Sequence, residues 1–133
     1  MTRAVQTAQE ISNKFNLPIT TYDDLREINQ GEWEGQFIKD VLTKQGDQVR
    51  AVYKNPYTAR KPGGESIAEV AERVYRCLDF LSDKHDNETI IVVSHGLAIA
   101  TILCKVRNLP LEMAIKNIPE NTGVEVIIWN KSN

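Results

Sequence analysis

The run Ile90-Ile91-Val92-Val93, followed at once by Ser94-His95-Gly96 and an apolar stretch from Leu97 to about Val106, constrains this chain more than any other feature. A continuous β-branched run suits a strand buried on both faces, as in a parallel sheet. The stretch after it reads as a helix that Asn108-Leu109-Pro110 breaks. In an open α/β sheet, ligands bind beyond the carboxyl ends of the strands. A helix that starts there offers free backbone N–H groups and a partial positive charge, which together make an anion seat. Gly96 lets the backbone approach a ligand closely. His95 can donate a hydrogen bond to an anion, take up a proton or attack phosphorus. A partly buried histidine satisfied by a neighbour fits the same junction equally well.

The rest of the chain reads as helices interleaved with short strands. Ala4, Val5, Ala8, Ile11 and Phe15 share one face of a helix over 3–15, which Pro18 ends. Ile19 to Tyr22 reads as a strand, 23–35 as a polar loop broken by Gly31 and Gly35, and much of 36–54 as a helix. Pro62-Gly63-Gly64 marks a turn. Ser66 precedes Glu69 by the spacing of a capping box, and Ile67, Val70, Ala71, Val74, Leu78 and Leu81 follow at helical spacing over 67–84. Gly123 to Trp129 reads as a last strand. The expected fold class is therefore α/β, with helices on both faces of the sheet.

Composition excludes several function classes. With 16 Lys+Arg against 18 Asp+Glu, the net charge of -2 leaves no basic footprint for nucleic acid. No apolar run approaches the length of a membrane span, and the N-terminal residues lack the apolar core of a secretory signal. A soluble, cytoplasmic protein is expected. Cys77 and Cys104 fall in expected helices and read as packed, reduced thiols. The chain's two histidines and two cysteines are not at metal-ligand spacing.

Two further residues carry candidate chemistry. Arg3 lies at the start of the first helix, where the dipole disfavours a cation unless an anion joins it, and a guanidinium holds phosphate oxygens bidentately. An exposed arginine is the simpler reading there. Glu27, in Leu25-Arg26-Glu27, can supply the proton that a leaving oxygen needs. Glu32 and Glu34 lie close in sequence, and local features do not choose among the three. Glu65 most simply favours the positive end of the helix after it. Trp33 and Trp129 read as packing residues, and His85 as an exposed residue at a helix end.

Together these residues resemble the histidine phosphatase superfamily, the phosphoglycerate-mutase-like enzymes. The stretches that match, in the family's order, are Thr2-Arg3-Ala4-Val5-Gln6-Thr7-Ala8, Leu25-Arg26-Glu27 through Gly31-Glu32-Trp33-Glu34-Gly35, Pro62-Gly63-Gly64-Glu65-Ser66 and Val92-Val93-Ser94-His95-Gly96. The resemblance covers nearly the whole chain as a single partial domain, 1–133. It implies a mostly parallel sheet flanked by helices, no metal and no cofactor, and a small phosphorylated substrate or inorganic phosphate as ligand. By the same resemblance Arg3 binds the phosphoryl group with Gly96 beside it, Glu27 is the proton donor, and His95 contacts the phosphoryl oxygens.

The resemblance also implies a phosphohistidine formed on an Arg-His-Gly motif. Here His85 and His95 are the histidines, and neither follows an arginine. The family's first strand, first helix and second strand are accordingly expected to be missing, with little or no activity in this chain alone. Exposed sheet edges make self-association into a homo-oligomer an expectation. After His95, Leu97-Ala98-Ile99-Ala100 stands where many members carry a glycine and an arginine. That tilts the reading toward a phosphatase and away from a mutase. A non-catalytic phosphate-binding or regulatory domain, and a site rewired so that His95 is itself the nucleophile, are the alternatives.

Overall fold

A computed structural model describes residues 2–130. Its regular elements are four α-helices, α1 (Thr2–Phe15), α2 (Ile38–Lys54), α3 (Ile67–Lys84) and α4 (Gly96–Val106), with short 3-10 segments at Asp23–Leu25, Gly31–Trp33 and Leu111–Asn117. No helix among them is long and apolar enough to cross a membrane.

Helix α3 forms where its sequence pattern places it. The Ser66 hydroxyl accepts the Glu69 amide at 3.2 Å, and the Glu69 carboxylate accepts the Ser66 amide at 2.8 Å, closing the capping box. Its buried face, Ile67, Val70, Val74, Leu78 and Leu81, packs on α4. Each such side chain contributes about 1.5–3 kcal/mol by leaving water. Helix α4 is buried at Leu97, Ala98 and from Ala100 to Cys104, because its sequence is apolar on nearly every side. Cys77 and Cys104 are free, buried thiols whose burial pushes both above the ordinary thiol range. A second cluster joins Trp33 to Val41, Val49 and Val52 of α2. The Trp33 indole N–H donates to Gln45 Oε1 at 2.8 Å, at the residue where α2 kinks.

One expectation needs correction. The runs 19–22, 90–93 and 123–129 form no strand among the described residues. Ile91 is 56% exposed, so the run 90–93 is not buried on both faces, and Val124, Val126 and Ile128 are more than 80% exposed. An extended segment becomes a strand only when a neighbour accepts its lateral N–H and C=O groups. None of these segments pairs with another. Helix α1 forms where its apolar spacing places it. It ends at Asn16, which turns left-handed (φ 52°) ahead of Pro18, yet α1 contains no buried residue.

The loops are more ordered than their polarity suggests. Gly31 is left-handed (φ 58°), and a Cβ there would overlap the Pro62 carbonyl oxygen and the Gly64 amide nitrogen. A Cβ on Gly64 would meet the Asn29 carbonyl oxygen. The segments 23–35 and 60–66 therefore touch backbone to backbone. The Glu32 amide donates to the Pro62 carbonyl at 2.8 Å, and the Glu65 amide to the Asn29 carbonyl at 3.1 Å.

Candidate active site

Arg3, Glu27 and His95 lie far apart along the chain and line one cavity of about 680 Å³, together with Arg26, Asn29, Gln30 and Glu34. Arg3 arrives on the first turn of α1, Glu27 on the segment after the first 3-10 turn, and His95 as the extended residue that caps the N-terminus of α4.

Arg3 Nη2 lies 3.3 Å from His95 Nδ1. A guanidinium only donates, so Nδ1 is the acceptor and the neutral ring carries its proton on Nε2. Burial holds the His95 imidazole below its ordinary value, and the nearby Arg3 charge acts in the same direction against the pull of Glu27. A neutral ring with a free Nε2–H is a hydrogen-bond donor suited to an oxyanion. The guanidinium beside it keeps further donors for the same oxyanion.

The N-terminus of α4 is met by a side chain of the protein's own, the carboxyl group of Glu27. Glu27 Oε2 accepts the Leu97 amide at 3.2 Å, while Oε1 accepts the Ile28 amide at 2.9 Å. The helix start thus anchors the carboxylate. Gly96 does not line the cavity, and a Cβ on it would stand 3.0 Å from Ile118 Cγ2. Its missing side chain makes room for Ile118.

Around the cavity stands a set of residues whose part the sequence does not disclose. Arg73 is 5% exposed and bonds the Glu65 carboxylate through Nε at 2.9 Å and Nη2 at 3.0 Å. Burial pushes the Glu65 carboxyl up, but Arg73, the Asn29 amide and Arg26 outweigh this and hold it below its ordinary range. The simple dipole reading of Glu65 is therefore incomplete. Lys61 is 2% exposed and donates to Gln30 Oε1 at 2.6 Å. Burial lowers its ammonium, with Glu27, Glu34 and Glu65 opposing. The Ser94 hydroxyl donates to the Leu25 carbonyl at 2.7 Å. One signal in the sequence marks Arg73: it lies three residues after Val70 and four before Cys77, on the apolar stripe of α3. His85 caps the other end of α3 and contacts Glu88 at 2.8 Å, away from the cavity.

The model of the histidine phosphatase superfamily (branch 1) matches residues 1–133. This chain belongs to that superfamily. It is 33% identical over 102 residues to phosphoserine phosphatase 1 of Hydrogenobacter thermophilus, covering 77% of this chain and 48% of that protein. It is 35% identical over 109 residues to a probable phosphoglycerate mutase, GpmB, of Yersinia pestis, covering 81% of this chain and 50% of the relative. The chain spans about half the length of these curated relatives.

Among solved structures, Bacillus stearothermophilus YhfR superposes with a TM-score of 0.77 at 26% identity, over 84% of this chain and 55% of that one. A VO3 complex of mycobacterial glucosyl-3-phosphoglycerate phosphatase superposes with a TM-score of 0.73 at 25% identity, over 84% and 57%. The fold shared with these neighbours is the α/β histidine phosphatase fold, of which the described residues supply the helical part.

Proposed function

We propose that residues 1–133 form the oxyanion-binding and proton-donating side of a phosphomonoesterase site that works through a phosphohistidine. The observation that carries this reading is the Arg3–His95 pair at 3.3 Å, facing the cavity that Glu27 also lines. In the proposed reaction an imidazole nitrogen attacks phosphorus. The bond from phosphorus to the leaving oxygen breaks, and that oxygen takes a proton from Glu27. Water then attacks phosphorus and passes a proton to the Glu27 carboxylate left by the first step, and the phosphorus–nitrogen bond breaks, giving inorganic phosphate and the free imidazole. Arg3 and the His95 Nε2–H stabilise the charge on the equatorial oxygens throughout, the main service a protein gives phosphoryl transfer.

The attacking histidine is assigned outside residues 1–133, because the His95 nitrogen nearest Arg3 is already an acceptor and His85 stands apart from the cavity. Leu97, Ala98 and Ala100 are buried in the core, so no side chain from the first turn of α4 adds charge to the cavity. This favours a phosphatase over a mutase acting on a highly charged phosphosugar. The VO3 complex of the mycobacterial phosphatase supports an oxyanion as the ligand class.

A second reading rests on the same placement of histidines: a domain that binds phosphate without turning over an ester. The test is a pair of measurements on the 133-residue chain. Inorganic phosphate should raise its melting temperature, and Arg3→Ala or His95→Ala should abolish the rise. Hydrolysis of an aryl phosphate should be negligible. Robust hydrolysis lost in His95→Ala would give His95 the nucleophile's role and overturn the assignment. Joining the chain to a segment that carries an Arg-His-Gly motif should restore hydrolysis if the enzyme reading holds, and should not if the domain only binds.

A further inference from the structure

Arg73 does not line the cavity, yet all five of its N–H donors are spent on the segment that carries Glu27 and on that segment's support. Nη1 donates to the carbonyls of Asp24 at 2.7 Å and Arg26 at 2.8 Å, and Nη2 to the carbonyl of Glu27 at 3.2 Å. The remaining two donors hold Glu65. Glu65 in turn accepts the Asn29 amide at 2.8 Å and Arg26 Nη2 at 3.1 Å. With the Ser94 hydroxyl on Leu25, every carbonyl from residue 24 to residue 27 accepts from a side chain elsewhere in the chain. Carbonyls in an irregular segment are ordinarily satisfied by water or by local turns. Here they are gathered by one buried guanidinium whose planar fork fixes their relative positions.

We propose that Arg73, oriented by Glu65, is the positioning residue of this site, setting where the Glu27 carboxylate stands by gripping its backbone. The claim rests on the reading of Glu27 as proton donor. Placement within about 0.5 Å is what such a donor needs, and a clamp on the main chain supplies it without entering the cavity. Lysine at 73 would keep the charge but offers three donors in place of five and no planar fork.

The test reads the Glu27 carboxylate through the two amides that donate to it, those of Ile28 and Leu97. In the 133-residue chain, Arg73→Lys should speed hydrogen exchange at both by more than about 10-fold relative to amides in the middle of α3. Glu65→Gln, a milder change that remains usable if Arg73→Lys fails to fold, should do the same by a smaller factor. Affinity for inorganic phosphate, set by Arg3 and His95, should change less than about 3-fold in a folded variant. Unchanged exchange at Ile28 and Leu97, or an equal rise across all helices, would reduce Arg73 to an ordinary structural ion pair and overturn the proposal. If the unaltered chain does not bind phosphate, the functional reading falls, while the exchange data still judge the clamp on their own.

Discussion

Helix α1 and the segment 23–35 each deliver a charged side chain to the same cavity, and they are held in opposite ways. The segment has no long regular element, but it buries Ile28 and Trp33, meets the turn at 62–64 glycine to glycine, and has its carbonyls gripped by Arg73 and Ser94. Helix α1 is regular but contains no buried residue: Ala4, Ala8 and Ile11 are half-buried, and Val5 and Phe15 stay 43% and 60% exposed. Its Arg3 meets the rest of the site at His95. Regular secondary structure and rigidity are thus separate properties. The proton-donor side is preorganised before any ligand arrives, whereas the guanidinium side gains most from an anion that ties it to His95.

That contrast can be broken by substitution. The largest effect belongs to Arg73→Ala, which removes a buried guanidinium and its five hydrogen bonds and leaves the half-buried Glu65 with only Arg26 and the Asn29 amide. Breaking a buried pair costs about 3–5 kcal/mol, and chemical denaturation should show a loss of that size. Next comes a pair of glycines. Gly31→Ala combines left-handed strain with overlap against backbone and should cost about 3 kcal/mol or more. Gly35→Ala carries the same strain (φ 72°) with nothing within 4 Å and should cost about 1–2 kcal/mol. Equal losses at the two positions would mean that the contact between 23–35 and 60–66 is not what orders the loop.

On the other side of the comparison, Arg3→Ala should weaken phosphate binding by about 10-fold or more, as loss of a hydrogen bond to a charged group does. Its effect on stability should stay within about 0.5 kcal/mol. The His95 pH dependence is a finer test. Its folded value is lowered below 6.5, chiefly by burial, so the unfolded chain takes up that proton first as pH falls. The stability His95 contributes is complete above 6.5 and is lost as pH falls through its folded value. His95→Gln should flatten that part of a stability–pH profile. The smallest effect is expected from Val5→Ser or Phe15→Ser, each within about 0.5 kcal/mol. A larger loss would show that α1 packs on something, and would close the gap between the two regions.

The same contrast explains what could be read beforehand. Helix α3 was legible to the residue because its signals are local: a capping box at Ser66 and Glu69, then apolar spacing. Helix α4 and the junction at His95 were legible for similar reasons. The sheet was not, because Ile90 to Val93 and Val124 to Trp129 carry strand propensity but strand formation depends on a partner. The convergence of Arg3, Glu27 and His95 followed from the superfamily resemblance, since nothing local singles out Glu27 from Glu32 and Glu34. The clamp was hidden because Arg73 and the carbonyls it gathers are more than 40 residues apart. Gly31 and Gly64 looked like turn residues, and their demand for each other's space is likewise a long-range fact.

The most direct measurement of the central claim is calorimetric titration of the 133-residue chain with inorganic phosphate, alongside Arg3→Ala, His95→Ala and the surface control Phe15→Ser. One saturable site, lost in the first two variants and kept in the control, is the expected result. No binding, or binding indifferent to both Arg3 and His95, would contradict it.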